Sequence, residues 1–444
     1  MRAWAAKFDK YIYYLLLLTV AVIPLQQELA AGCMNITFAA ALLAAYYKQH
    51  APNAVLKRWE QGLLYGLLAS AVFSLLFSGN RFLSFWNLVY VGSQYMGMVY
   101  VLLRYALPST TEKDSNLGYA WVKSRSWAET LPGRWLQAYF LWPRPLQLVG
   151  IFLAVSFLVS TLGILQKLCG VMAESIWSDP DEFPELKIRV YSTLVNPNIL
   201  AGYLVLVIAY CSAFMHVLRQ QRSVRFACTL LGLLAALCLL YTYSRGNWLA
   251  CAFALLIFAV FYCHKAIFPI VGVGAAGLLI GGQAVVHRLL SITSGEDTSA
   301  ALRLAYLEGT LAMIEEHPWG VGWFGYRFAF PDYNFYLDDK MVIMYHCHNM
   351  FLNVWAELGY PGLFCFLALF AVFVVNAVLL SRRGEEAWLR AVGTGYVMAA
   401  AGMAVGGLTD HIYFNTQMGM LFWLQGILIL ACRKIAAGEN LCHK

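Results

Sequence analysis

This sequence is short of charge. Only 12% of its 444 residues are Asp, Glu, Lys or Arg, while 61% are hydrophobic; soluble domains carry about 25% charged residues. So little charge cannot clothe a water-soluble core, and an ordinary soluble domain is excluded. No CxxC pair occurs among the 11 cysteines, which speaks against a structural zinc site or a redox motif. Tandem repeats and low-complexity tracts are missing too. The first apolar run, Tyr11–Leu25, lacks a small-residue cleavage site, so it is expected to be a retained helix and not a removed signal peptide.

What the chain has instead is apolar runs, with a mean hydropathy of +0.62. They fall near 11–27, 33–47, 60–78, 82–107, 146–166, 199–218, 226–243, 246–263, 267–286, 349–381, 388–408 and 415–432. Several are shorter than the roughly 20 residues that cross a bilayer as helix and must borrow flanking residues. The expected fold class is therefore an all-α polytopic membrane protein of about twelve transmembrane helices. A large outer loop lies between helices 9 and 10. The run 349–381 is long enough for its first part to be interfacial.

Charge orients these spans. With both termini on the inner side, 22 of the 31 basic residues lie inside and 9 outside, while 16 of the 24 acidic residues lie outside. Cytoplasmic loops carry such a Lys/Arg excess, so both termini are expected on the cytoplasmic side of the membrane. The net charge of +7 is then an orientation signal, and no nucleic-acid partner is expected. Three regions follow: 1–145, with the first four helices and a basic, Trp-rich inner loop; 146–433, the core, including outer loops 167–198 and 287–348; and the cytoplasmic tail 434–444. Among the cysteines, Cys169 and Cys347 fall clearly outside the spans, and a disulfide between them is an open alternative.

The outer loops hold most of the chemistry. The first contains Trp177-Ser178-Asp179-Pro180-Asp181-Glu182, whose DxD letters read as a solvated acidic loop. The second opens with an expected amphipathic helix, Ala300–Glu316, with Leu302, Leu304, Leu307, Leu311 and Ile314 at roughly helical spacing. His317-Pro318-Trp319-Gly320-Val321-Gly322 ends it. The aromatic-rich stretch Phe324–Tyr345 is expected to lie on the bilayer.

Three constellations stand out on the outer face. Arg189 precedes Asn196-Pro197-Asn198, where either Asn can cap the next span; a helix N-terminus with a fork-shaped cation beside it suits phosphate. A plain capped helix fits the same letters. Arg245 sits in the short connection Tyr241–Trp248 with no acid in the turn, where an Arg at membrane depth needs a partner or a polar cavity. Its alternative is a snorkelling Arg. Third, Tyr345-His346-Cys347-His348-Asn349 begins a helical stretch that carries Glu357. One imidazole there suits a general base; His-x-His lacks a third strong ligand at motif spacing, so no metal and no cofactor is expected. Arg303 on the loop helix can contact an anionic donor or pair with Glu308, and Asp410-His411, at an outer turn, can line the cavity or be a plain polar turn. The catalytic candidates are thus His348, Arg245 and Arg189. Arg303, Asn196, Asn198, His346, Asn349, Glu357 and Asp410 are the substrate-binding candidates.

Together these pieces resemble the O-antigen ligase and polymerase superfamily of bacterial envelope proteins. The matching letters are Arg189 with Asn196-Pro197-Asn198-x-x-Ala201-Gly202-Tyr203; Ser244-Arg245-Gly246-x-Trp248; Arg303 with His317-Pro318-x-Gly320-Val321-Gly322; and His346-x-His348-Asn349-x-x-Leu352 with Glu357-x-Gly359-x-x-Gly362. Their order and spacing match over roughly 150–380. Trp177-x-Asp179-Pro180 followed by Arg189-Val-Tyr-Ser is similar to one branch, cyanobacterial proteins described as bicarbonate transporters. The resemblance implies metal-independent transfer of a glycan from undecaprenyl diphosphate to an acceptor hydroxyl, on lipid A-core, another glycan or a protein, at the outer face. It implies that Arg189 and Arg245 hold the diphosphate and that His348 serves the acceptor hydroxyl. The competing expectation is an anion transporter, for bicarbonate above all. A transporter should place ionisable or broken-helix elements near the midplane in two related halves, and no half-to-half similarity occurs.

Overall fold

The computed structural model describes residues 2–48, 55–107, 117–125, 127–171, 189–290, 298–335 and 344–438. Among these residues there is helix and no strand. The N-terminal helices are α1 (Arg2–Val22), α2 (Gln27–Lys48), α3 (Arg58–Ser74) and α4 (Arg81–Tyr105), followed by two short ones, α5 (Leu117–Lys123) and α6 (Leu131–Leu141). Then come α7 (Arg144–Leu168), α8 (Pro197–Val217), α9 (Arg222–Tyr241), α10 (Arg245–Phe261) and α11 (Ile267–Leu290). The loop helices are α12 (Thr298–Glu316) and α13 (Tyr326–Ala329), and the chain closes with α14 (Met350–Arg383), α15 (Ala387–Thr409) and α16 (Thr416–Ala436).

Every apolar run of the sequence coincides with a helix. Among the described residues, nine helices are long and apolar enough to cross a membrane, which makes the chain an all-α polytopic membrane protein. The other three expected spans are weaker. The apolar stretches Tyr11–Val22 and Arg245–Phe261 are shorter, and α4 is diluted by Ser84, Asn87, Ser93 and Gln94. Helices α8, α15 and α16 are the most enclosed and form the centre of the bundle. Small residues let them approach closely: a Cβ on Gly402 would meet Val205 of α8 at 2.5 Å. By contrast, α11 runs along the periphery with its side chains largely exposed.

The two ends of the bundle are held differently. At one end Arg433 of α16 donates through both terminal nitrogens to Glu60 of α3, a fully buried carboxylate, and also to the Val55 carbonyl. At the other end gather the N-termini of α8, α10, α14 and α16 and the C-terminus of α15.

The loop helix forms as expected, but its buried face is only partly the expected one. Tyr306, Thr310, Met313 and Ile314 are buried, while Leu304 and Leu311, a heptad apart, are exposed. The expected stripe is thus split: Ile314 is buried and Leu302 packs against the buried cluster, while Leu304 and Leu311 point outward and the bulkier Tyr306 and Met313 take the buried face. Nor does the described part of the aromatic stretch simply lie on a bilayer. Tyr326, Phe330 and Tyr333 pack with Tyr306, Met313, Val321 and Cys347 into a small second core.

Candidate functional site

Three site-forming helices begin in the same unusual way. Val195, Tyr243 and His348 all have positive φ (64°, 53° and 53°), and each directly precedes the N-cap of its helix: Asn196 for α8, Ser244 for α10 and Asn349 for α14. Left-handed backbone is disfavoured for any residue but glycine, and most for β-branched Val. Such strain persists where the surroundings over-determine it, commonly at functional sites.

The caps behave as the letters require. Asn196 accepts from the Asn198 and Ile199 amides at 2.7 and 3.4 Å. Asn349 accepts from Phe351 and Leu352 at 3.0 and 3.1 Å, and its amide donates to the Leu408 carbonyl at the end of α15. Both asparagines therefore aim helix N-termini and carry no reactive group of their own.

A continuous chain of hydrogen bonds links the distant constellations. Arg189 donates from Nε to the Thr242 carbonyl at 2.9 Å and from Nη2 to Asn198 Oδ1 at 3.1 Å. Asn198 Nδ2 donates to Asp410 Oδ2 at 3.1 Å. The other carboxylate oxygen, Oδ1, lies 3.1 Å from His348 Nδ1 and accepts the His411 amide at 2.8 Å. Tyr306 stacks on the His348 ring, with centroids 5.6 Å apart and planes 23° off parallel. So Arg189, Asn198, Asp410 and His348, drawn from four parts of the sequence, form one network.

Arg245 is the first residue of α10 and is buried. Beside it Asn247 binds the Asn198 carbonyl at 3.2 Å and Ser244 Oγ at 3.1 Å. A buried guanidinium at a helix N-terminus adds a full charge to the positive end of the dipole, which makes the spot strongly attractive to an anion.

Electrostatics sharpen the picture. Burial raises the Asp410 carboxyl, but the hydrogen bond and charge of His348, then His346 and Arg303, outweigh it and hold the group below the usual carboxylate range. Burial lowers His346 to about 3, helped by repulsion from His348, and lowers His411 to about 4 against the pull of Asp410. His346 and His411 are thus neutral neighbours. Arg303 reaches the network through its field on Asp410.

His346, His348 and Asp410 also bring ligand atoms to within 4.8 Å of one another, a group that could hold a metal ion. The third ligand that motif spacing lacked is thus supplied by a residue 62 positions beyond His348. His348 Nδ1 and Asp410 Oδ1 already share a hydrogen bond, so the dyad and a metal are alternatives at one place.

Glu357 stands elsewhere. Helix α14 breaks at Gly359 (φ 65°), freeing carbonyls that accept from the loop: Val321 N binds Ala356 O at 2.8 Å and Gly322 N binds Glu357 O at 3.1 Å. The Glu357 side chain accepts from the Tyr326 amide and lines a cavity of about 320 Å³ between α3, α4, α14 and α16. It secures the loop. The Trp177–Glu182 motif lies outside the described residues, and Cys169 and Cys347 are both free thiols. Sequence reasoning missed Asn247, Tyr306 and the cavity. Asn247 was legible in part as a polar residue in the first turn of an apolar helix; stacking of Tyr306 on His348 had no local signal.

Residues 230–367 match the family model described as O-Antigen ligase. The match runs from α9 into α14, taking in Arg245, Arg303, His346, His348 and Glu357, and leaves Arg189, Asn198 and Asp410 outside. No curated protein matches the chain.

Proposed function

Because the chain carries an O-antigen ligase domain that supports a glycosyltransferase of the ligase and polymerase type, we propose that it moves a glycan from undecaprenyl diphosphate to an acceptor hydroxyl on the outer face of the bacterial inner membrane. One observation carries this reading: the hydrogen-bonded run Arg189–Asn198–Asp410–His348, to which α10, headed by a second buried cation, Arg245, is tied by the Asn247 bond to the Asn198 carbonyl.

The chemistry follows from those positions. With Nδ1–H donated to Asp410, His348 presents Nε2 as a lone-pair acceptor. It takes the acceptor's hydroxyl proton as that oxygen bonds the anomeric carbon. The bond from that carbon to the donor's phosphate oxygen breaks, and its electron pair leaves on undecaprenyl diphosphate. Arg189 and Arg245 meet the growing charge with fixed donors, the most effective form of stabilisation. Asp410 supports the imidazolium that results. Arg303 adds positive potential, and Asn196 and Asn349 hold the helix ends in place.

The cluster of His346, His348 and Asp410 favours a second reading, in which a divalent ion held there assists the transfer. Purified protein, an undecaprenyl diphosphate-linked glycan and a lipid A-core acceptor separate the two. Transfer that survives chelation supports the base; transfer lost to chelation and restored by added metal supports the ion. In the same assay Arg245→Lys should fail, since Lys keeps the charge but loses the bidentate fork that matches phosphate oxygens. Arg189→Ala should weaken use of the donor. Near-normal transfer by both variants, at normal membrane levels, would sink the proposal.

A further inference from the structure

The cavity between α3, α4, α14 and α16 is not used by the chemistry above. Its walls are apolar along most of their length, with Leu64, Val99, Phe366 and Trp423 deep inside. Its volume of about 320 Å³ lies at the small end of ligand pockets, which run from about 300 to 1,000 Å³. The shape is elongated: α4 alone lines it from Asn87 to Val99, about 18 Å of helix at 1.5 Å per residue.

The two ends differ in chemistry. The end beside the outer loop carries Asn353, Glu357, His411, Tyr413 and Thr416. His411 Nδ1, the Tyr413 hydroxyl and Thr416 Oγ1 are buried there without a hydrogen-bond partner among the described residues. Their side chains make this mouth polar where most of the wall is apolar. That mouth adjoins the catalytic network: Asp410, held by His348 and Asn198, is followed directly by His411 in the cavity wall.

We propose that this cavity seats a single long apolar chain of a lipid-linked substrate, foot among Val99, Phe366 and Trp423 and polar head at His411, Tyr413 and Thr416. The inference rests on the transferase reading and deepens it, since it places one substrate's anchor beside the dyad. Donor isoprenoid and acceptor acyl chains share this chemistry.

Gly92 offers the test. It lines the cavity, and a Cβ there would meet only Leu88 of its own helix, at 3.4 Å. Gly92→Phe therefore sends a ring into the slot from a position where a Cβ has room, and it replaces the poorest helix former after proline. The full-length protein is illuminated in vesicles with two photoreactive probes, a diazirine-bearing polyprenyl phosphate and a phosphatidylglycerol with a diazirine on one acyl chain. Labelled peptides are then mapped. Wild-type protein should label on the segments bearing Met96 and Phe366, and Gly92→Phe should lose that labelling while keeping labels on outward-facing helix surfaces. Labelling by the isoprenoid probe assigns the seat to the donor; labelling by the acyl probe assigns it to the acceptor. Excess unreactive probe should also suppress labelling of the wild type, a check that needs no variant. Cavity segments that stay unlabelled, or that label equally in Gly92→Phe and under competition, overturn the proposal. No step here requires turnover, so a protein that labels in the cavity yet transfers no glycan would keep the seat and lose the transferase.

Discussion

His348 combines a strained backbone with a paired ring. Its φ of 53° turns the chain sharply before Asn349 caps α14, and its ring is fixed by Asp410 on one nitrogen and by Tyr306 on one face. Removing the base should lower turnover by about 10²–10⁴-fold while leaving donor binding intact. Asp410→Asn keeps the shape but loses the charge that holds the Nδ1–H tautomer, so it should cost less than His348→Ala and more than His346→Ala. His346 is the control, since burial holds it at about 3 and it takes no proton near neutrality. Turnover and donor-binding measurements on the three variants check this order. A larger loss from His346→Ala than from His348→Ala would contradict the base assignment and favour the metal.

At the scale of elements, the important joint is the loop turn docked on the broken helix. A Cβ on Gly320 would lie 2.3 Å from the Glu357 carbonyl, and one on Gly359 would lie 2.5 Å from the Trp319 backbone. Both residues have positive φ (87° and 65°), so any side chain is strained as well as crowded. Gly320→Ala should destabilise the protein by on the order of 1–3 kcal/mol, read as a lower unfolding temperature in detergent together with loss of transfer. The two glycines were legible as motif letters, but their mutual contact was not, because it spans two elements. The apolar stripe of α12 was only half right for the same reason: spacing alone gives a face, and only the partner decides which of its residues are buried.

The turn around Asp410 also predicts a response to acid. His346 and His411 have folded values of about 3 and 4, below the ordinary histidine value of about 6.5. A lowered histidine favours the fold while neutral, so its contribution is complete above about pH 6.5 and is lost as pH falls toward those folded values. The Asp410 carboxyl, also lowered, adds a loss of the same sign at still lower pH. Thermal stability in detergent should therefore fall as pH drops from about 6.5 to 4. A double variant, His346→Asn with His411→Asn, should flatten that slope; an unchanged slope would place the acid sensitivity elsewhere.

For the whole molecule, each apolar run falls on a helix and nine helices among the described residues qualify as spans, because in a bilayer only helices and closed barrels satisfy the backbone. The cavity escaped notice because it is made by helices far apart in sequence, each supplying a few ordinary apolar residues. Orientation was read from Lys and Arg alone, and it yields the last prediction. The network end of the bundle includes Cys169, an exposed free thiol at the end of α7. The opposite end includes exposed Ser124, just after α5. If the basic side is cytoplasmic, a membrane-impermeant maleimide should label Cys169 in intact spheroplasts, with Cys169→Ser as the blank. In that background Ser124→Cys should react only after permeabilisation. The reverse pattern would put Arg189, Arg245 and His348 in the cytoplasm, away from any acceptor on the outer leaflet, and transfer at the outer face would have to be abandoned whatever the variants at those residues did to activity.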